Sequence, residues 1–166
     1  MAPKGVSMYV FALLIAINIF AITAHYDPDN VYTIRPAQPG RENFALYTGV
    51  SSQVTLQEYR QRKAYELFHF EYSSQPGLFY LVVEPTGEVL DVNRNTYPHS
   101  VIVGPRTTSP WQLWYLEDDG HIVNSAQNLV LDVKGGRYEV GAPLIVYQKT
   151  GYINQIFIHY KESLKA

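Results

Sequence analysis

Hydrophobic positions occur along most of the chain in short runs that turn-forming residues separate. The clearest β-branched or aromatic runs lie at residues 78–83, 101–103, 113–116 and 144–147. Gly, Pro and Asp fill the intervals between them, as in residues 75–77, 85–87, 104–105, 118–120 and 135–136. Only residues 57–63 suggest a short helical turn. The pattern predicts an all-β chain whose many short strands form a closed barrel or a sandwich.

One segment of the chain recurs three times, and each copy ends in a similar group of residues. The endings are Tyr65-Glu66-Leu67-Phe68, Trp111-Gln112-Leu113-Trp114 and Asn154-Gln155-Ile156-Phe157. Their second residues, each an amide or a carboxylate, are 46 and 43 residues apart. A threefold repeat of this period favours the barrel over the sandwich. We call residues 25–72, 73–118 and 119–166 the first, second and third repeats.

The large aromatic residues that close the three endings are predicted to lie in a shared core. Burial of Phe68, Trp114 and Phe157 would remove much apolar area from water. An apolar run with an embedded Asp precedes two of the endings, so that Asp91 lies 21 residues before Gln112 and Asp132 lies 23 residues before Gln155.

The first 24 residues predict a secretory signal peptide. Lys4 supplies a positive start, residues 8–24 are almost wholly apolar, and small residues precede the polar segment from His25. An uncleaved membrane anchor is the alternative, but the run is near the lower limit for a bilayer span and contains Asn18. We therefore expect a secreted, extracellular domain of residues 25–166 with no stable membrane insertion after cleavage.

Composition and charge exclude some functions for this domain. The chain has 13 Lys and Arg against 15 Asp and Glu, and no basic cluster accompanies its aromatic residues, so nucleic-acid binding is not expected. It has no cysteine, so the fold must depend on its core without disulfides. The five His residues show no paired metal-ligand spacing, and no nucleophile elbow or phosphate loop occurs. We expect a binding protein without catalytic activity, metal or other cofactor.

Four places in the third repeat resemble the ricin B-type lectin family, and order and spacing agree at all four. They are residues 119–123, 129–133, 141–147 and 154–157, which are similar to the family's Asp-Gly-x-Ile opening, Leu-Asp-Val strand, Gly-x-x-Val-x-x-aromatic strand and closing Asn-Gln-x-Trp. The second repeat matches at Asp91 and at residues 112–114, and the first repeat only at its ending. The resemblance implies a β-trefoil with pseudo-threefold symmetry.

The resemblance also implies which residues would bind sugar. Carried over position by position, the site would consist of Asp132, Tyr147, Asn154 and Gln155. An ionised Asp accepts hydrogen bonds from adjacent sugar hydroxyls, an aromatic ring stacks on the apolar face of the sugar, and an amide donates to a hydroxyl oxygen. Ile145 stands where many family members have a polar contact, so the hydrogen-bond number is reduced. A galactose-type glycan is the expected ligand, carried by a glycan or glycoprotein partner.

The other two repeats lack parts of this set. In the second repeat, Gly104 stands at the ring position and Trp111 at the Asn position, although Tyr97 or His99 is an alternative source of a ring. In the first repeat the corresponding residues are Ala45, Glu58 and Tyr65.

Two hypotheses follow from these comparisons of the repeats. The first is a lectin with a single site in the third repeat. The alternative is a secreted trefoil that binds no sugar and acts as a protein-interaction, inhibitory or coat module, for which Asp132 would be only a turn-capping carboxylate. The sequence does not indicate an oligomeric state.

Overall fold

The computed structural model describes residues 27, 29–49, 51–60 and 64–162, and the predicted signal peptide lies outside them. These residues form twelve strands, with no α-helix among them. The strands are β1 Val31–Pro36, β2 Phe44–Tyr47, β3 Thr55–Glu58, β4 Phe68–Tyr72, β5 Phe79–Val83, β6 Val89–Asn93, β7 His99–Gly104, β8 Trp114–Leu116, β9 Ile122–Asn124, β10 Leu129–Val133, β11 Leu144–Tyr147 and β12 Phe157–Glu162. Within the same residues, no helix has the length and apolar character needed to cross a bilayer.

Four 3₁₀ turns, each of three residues, interrupt the strands. They are Ala64–Glu66, Pro110–Gln112, Lys134–Gly136 and Ile153–Gln155. The helical turn suggested at residues 57–63 is wrong at its start, because Gln57 and Glu58 pair with Ala45 and Phe44 in the β2–β3 hairpin. Three of the turns contain the Glu or Gln of the repeat endings, so these polar side chains enter the interior just before a core strand begins.

Strand pairing closes the structure into a barrel capped by hairpins. The strands β12, β1, β4, β5, β8 and β9 pair in that order, and the Phe157 N–H donates to the Gly120 carbonyl (3.0 Å) beside the start of β9. The remaining strands form the hairpins β2–β3, β6–β7 and β10–β11. Each repeat thus contributes two barrel strands and one hairpin.

The core lies between the barrel and the hairpins and contains the predicted aromatic residues. Phe68, Trp114 and Phe157 are each at most 2% exposed. The Trp114 indole N–H donates to the Leu90 carbonyl (3.2 Å), so its polar atom is satisfied inside the core. The prediction that these three residues form the core is confirmed.

Contact between neighbouring hairpins places the candidate site. In the third repeat, Asp132 of β10 pairs with Ile145 of β11, and Val130 pairs with Tyr147. On its other side β11 pairs with β7, with Val146 opposite His99. The second repeat therefore lies directly beside the strand that carries Tyr147.

Candidate functional site

Asp132 is the centre of a hydrogen-bonded cluster at the end of β10. Its side chain is largely buried, with the residue 4% exposed. Asn154 Nδ2 donates to Asp132 Oδ1 (3.0 Å), and Gln155 Nε2 donates to Oδ2 (2.9 Å). Both amides come from the 3₁₀ turn that precedes β12, so this turn fixes the orientation of the carboxylate.

Gln155 contacts Asp132 from the interior of the protein, which differs from its predicted role as a sugar contact. The residue is 0% exposed. Its second amide hydrogen goes to the Gln148 carbonyl (2.8 Å), and its Oε1 accepts from the Thr150 N–H (2.8 Å) and hydroxyl (2.9 Å). Because protein groups use both donors and the acceptor, Gln155 positions Asp132 and has no free group for a ligand.

The second repeat contains the same network without a complete site. Gln112 Nε2 donates to Asp91 Oδ2 (2.9 Å) and to the Pro105 carbonyl (3.0 Å), while its Oε1 accepts from Thr107. Trp111 replaces Asn154 here, and Asp91 Oδ1 accepts from the Val92 N–H (2.6 Å). The Asp–Gln pair is therefore part of the fold in both repeats, and only the neighbours of Asp132 distinguish the third. In the first repeat, buried Ala45 offers no carboxylate.

A cleft of about 790 Å³ lies over Asp132 and brings three of the predicted residues together. Asp132, Tyr147 and Asn154 all line it, as does Ile145. The Tyr147 side chain is accessible, with the residue 39% exposed, whereas Ile145 is almost buried. The cleft thus has an anionic centre, an accessible ring and an apolar patch.

Other walls of the cleft come from residues that the sequence did not assign to this site. Tyr97 and Pro98 belong to the second repeat, and Gln38 belongs to the first. From the sequence, Tyr97 is only a replacement ring for its own repeat, because its position beside the third-repeat cleft depends on the β7–β11 pairing. Tyr138 and Tyr152 of the third repeat complete the aromatic lining.

Burial and hydrogen bonding act in opposite directions on Asp132. Burial raises the pKa of its carboxyl above the ordinary value, while the hydrogen bonds from Gln155 and Asn154 partly offset that rise. Burial also raises the pKa of Tyr138, and the negative charge of Asp132 adds to that effect. The ionised carboxylate is therefore a hydrogen-bond acceptor in a partly desolvated setting, where such bonds are stronger.

The carboxylates at residues 117–119 form a separate ion-pair cluster. Lys149 Nζ lies 2.6 Å from Glu117 Oε2 and 2.9 Å from Asp119 Oδ2, and His121 Nδ1 lies 2.6 Å from Asp119 Oδ1. Glu117, Asp119 and His121 have the ligand types and spacing of a metal site. The Lys149 ammonium already contacts both carboxylates and compensates one of their two negative charges, so we assign the cluster a structural role.

Solved structures similar to this chain include trefoil lectins. ThreeFoil, a designed 3-fold symmetric protein, is 23% identical with a TM-score of 0.67, over 79% of this chain and 98% of its own. The C-half of an earthworm R-type lectin, in complex with GalNAc, is 17% identical with a TM-score of 0.60, over 80% of this chain and 99% of its own. At these identities the likeness shows the β-trefoil fold alone.

A third similar structure is longer than this chain. The Polyporus squamosus lectin, bound to the human-type influenza-binding epitope Neu5Acα2-6Galβ1-4GlcNAc, is 16% identical with a TM-score of 0.66 over 82% of this chain. The chain spans only 50% of that lectin's length. No curated protein matches the chain significantly.

The family model for the ricin-type beta-trefoil lectin domain-like proteins matches residues 64–147. The matched region contains the Asp91–Gln112 pair, Asp132 and Tyr147, and it ends before Asn154. Together with the trefoil arrangement of the strands, this match over half of the sequence shows that the chain belongs to the ricin-type β-trefoil lectin domain-like family.

Proposed function

We propose that this protein is a lectin that binds a galactose-type glycan in the third-repeat cleft around Asp132. The observation that carries the proposal is the convergence of a buried carboxylate, an accessible ring and an amide on one cleft. A fold role explains the Asp132–Gln155 pair, because the second repeat has the same pair. It does not explain why Asn154 and Tyr147 lie beside Asp132 in the third repeat alone.

The free hydrogen-bonding capacity of the cluster suits sugar hydroxyls. Each oxygen of Asp132 accepts one hydrogen bond from an amide, and a carboxylate oxygen has about two acceptor sites. One acceptor site on each oxygen therefore remains for the hydroxyls of a sugar. Hydrogen bonds from two neighbouring hydroxyls to one carboxylate also fix the orientation of the ring.

Asn154 contributes differently from the sequence-based expectation. Its Nδ2 donates to Asp132 and to the Val133 carbonyl (3.3 Å), so both amide hydrogens are engaged. Its Oδ1 accepts no hydrogen bond from the described residues, and we assign it to a sugar hydroxyl as an acceptor. Asn154 then holds Asp132 and also contacts the ligand.

The galactose-type specificity rests on the family and on the composition of the cleft. Of the similar structures, the earthworm lectin C-half is in complex with GalNAc and the Polyporus squamosus lectin is bound to an epitope that contains galactose. Tyr147 offers a ring for the apolar face of such a sugar, and Ile145 adds apolar surface where a polar contact is absent. We expect weak monovalent binding, since the site is open on one side.

Two matched variants test the site. Asp132→Ala and Asp91→Ala each remove a carboxylate that accepts a hydrogen bond from a Gln amide, but only the Asp132 carboxylate borders the cleft. On a glycan array, we expect wild type and Asp91→Ala to bind the same sugars, and Asp132→Ala to lose binding while circular dichroism shows a folded chain. Wild-type binding by Asp132→Ala, or loss in Asp91→Ala alone, would contradict the assignment. Absence of glycan binding in all three proteins would favour the protein-interaction alternative.

Secretion is the second part of the proposal. The apolar segment of residues 8–24, followed by the polar residues from His25, supports cleavage near Ala24 and release of the domain. Mass spectrometry of the protein from a eukaryotic culture medium should give an N-terminus within about two residues of His25. Cell-associated protein that retains Met1 would indicate a membrane anchor.

A further inference from the structure

The outer wall of the cleft is an exposed aromatic residue from the neighbouring repeat. Tyr97 lies in the loop between β6 and β7 and is 85% exposed. The pairing of His99 with Val146 places this loop beside the end of β11, where Tyr147 lies. A ring so exposed contributes little to the core, and its position in the lining of the cleft suits contact with a ligand.

Tyr97 contacts a residue of the degenerate site of the second repeat. Its ring meets the edge of His99 at a centroid distance of 6.1 Å, and His99 meets Trp111 at 5.9 Å. His99 Nδ1 also lies 2.6 Å from the Thr96 carbonyl oxygen, which restrains the imidazole. The residues that replace a sugar site in the second repeat therefore support a wall of the third-repeat cleft.

The size of the cleft indicates a ligand larger than one sugar. Its volume of about 790 Å³ lies in the upper part of the range of about 300–1,000 Å³ for pockets that hold drug-sized ligands. A single sugar ring, anchored on Asp132 and stacked on Tyr147, is smaller than such ligands. A cleft of this size therefore has room for a second ring, and Tyr97 and Pro98 are part of its lining.

We propose that the cleft is a composite site for a glycan of at least two sugar rings, in which Asp132 holds one ring and Tyr97 of the second repeat stacks on the next. This inference rests on the proposed lectin function and adds the substrate class. Tyr152, which is 72% exposed and belongs to the third repeat, is the other highly exposed ring that borders the cleft. A composite site requires that Tyr97, and not Tyr152, recognises the second sugar.

Calorimetry with matched ligands tests the composite site. The probes are galactose, N-acetylgalactosamine, mannose and glucose, each alone and as the terminal ring of a disaccharide. For wild type we expect at least one disaccharide to bind more tightly than its terminal monosaccharide. Tyr97→Ala should weaken the binding of that disaccharide about 3- to 10-fold, which is the usual contribution of one aromatic stack, and should leave the affinity for the monosaccharide unchanged.

Three further variants make the outcome specific. Tyr72→Ala removes another exposed tyrosine, which does not border the cleft, and should leave both affinities unchanged. Asp132→Ala should abolish binding of both ligands. The composite site is overturned if no disaccharide binds more tightly than its monosaccharide, if Tyr97→Ala retains the difference, or if only Tyr152→Ala removes it. Those results leave the lectin function intact, whereas wild type that binds none of the probes refutes the lectin proposal itself.

Discussion

Removal of the Gln155 amide separates the role of this residue in the fold from its role in the site. Gln155→Ala deletes four hydrogen bonds, which join Asp132, Gln148 and Thr150. The second repeat provides a matched control, because Gln112→Ala deletes four bonds of the same kind. Both side chains are buried, and both lie two residues before a core aromatic.

The expected loss of stability follows from the groups left without partners. Each variant removes a partner from a carboxylate oxygen, a backbone carbonyl, a backbone N–H and a threonine hydroxyl, and one such group costs about 1–3 kcal/mol when it stays buried and unsatisfied. Water can enter the vacated space and reduce that cost. We therefore expect each variant to lose about 2–4 kcal/mol of unfolding free energy, which a domain with a typical stability of about 5–15 kcal/mol tolerates.

Glycan affinity should distinguish the two variants. Gln155→Ala frees the Asp132 carboxylate from one of its two amide anchors, so we expect about 3- to 10-fold weaker binding, while Gln112→Ala should bind like wild type. Urea unfolding measures stability, and calorimetry at 20 °C, with both variants folded, measures affinity. Equal losses of affinity in the two variants would refute the reasoning, as would a destabilised Gln155→Ala with unchanged affinity.

Three other predictions concern the core and pH. Trp114→Ala should lower the unfolding free energy by about 3–5 kcal/mol, because the indole is fully buried and bonded to Leu90; near-wild-type stability in urea would contradict the core assignment. Burial lowers the pKa of His159 from 6.5 to about 4, so the unfolded chain takes up a proton first and stability falls as pH drops from about 6.5 to about 4. At about 1.4 kcal/mol per pH unit, the loss of unfolding free energy is at most about 3 kcal/mol, because the residue is partly exposed even though its Nε2 has no solvent contact. His159→Phe should remove this part of the pH dependence, as measured by unfolding curves at pH 7 and 4.5. Because burial raises the pKa of Asp132, its carboxylate should become protonated, and glycan binding should be lost, at a pH above the ordinary aspartate pKa of about 3.9. This protonation should not lower the stability of the fold. Binding that persists below about pH 3.9 would argue against a role for ionised Asp132.

Several features of the fold were predictable because local patterns determine them. Short β-branched and aromatic runs between turn formers predict strands, and the described residues form strands at all four of the clearest runs. The three aromatic endings predict core positions, since burial of a large ring removes much apolar area from water. The helical suggestion at residues 57–63 failed at Gln57 and Glu58 because pairing with β2 outweighed local propensity.

The roles of individual site residues were less predictable. The sequence predicts Asp132, Tyr147 and Asn154 as parts of one sugar site, and the structure brings all three to one cleft. The fourth predicted member, Gln155, is fully buried. Sequence position does not reveal which amide of an Asn-Gln pair faces the interior. The 3₁₀ turn directs Gln155 inward and Asn154 toward the cleft, so one residue supports the carboxylate and the other remains accessible.

The sequence by itself determined the strand content, the core aromatics and the repeat that carries the Asp132 set, because each depends on residues near one another in the chain. Only the tertiary structure decided that Tyr97 borders the third-repeat cleft, since the β7–β11 pairing joins residues 47 positions apart. It also decided that Asp132 is buried and held by two amides, which changes both its pKa and its available acceptor sites. Solvent access and long-range strand pairing are properties of the packed barrel, and no local pattern in the sequence encodes them.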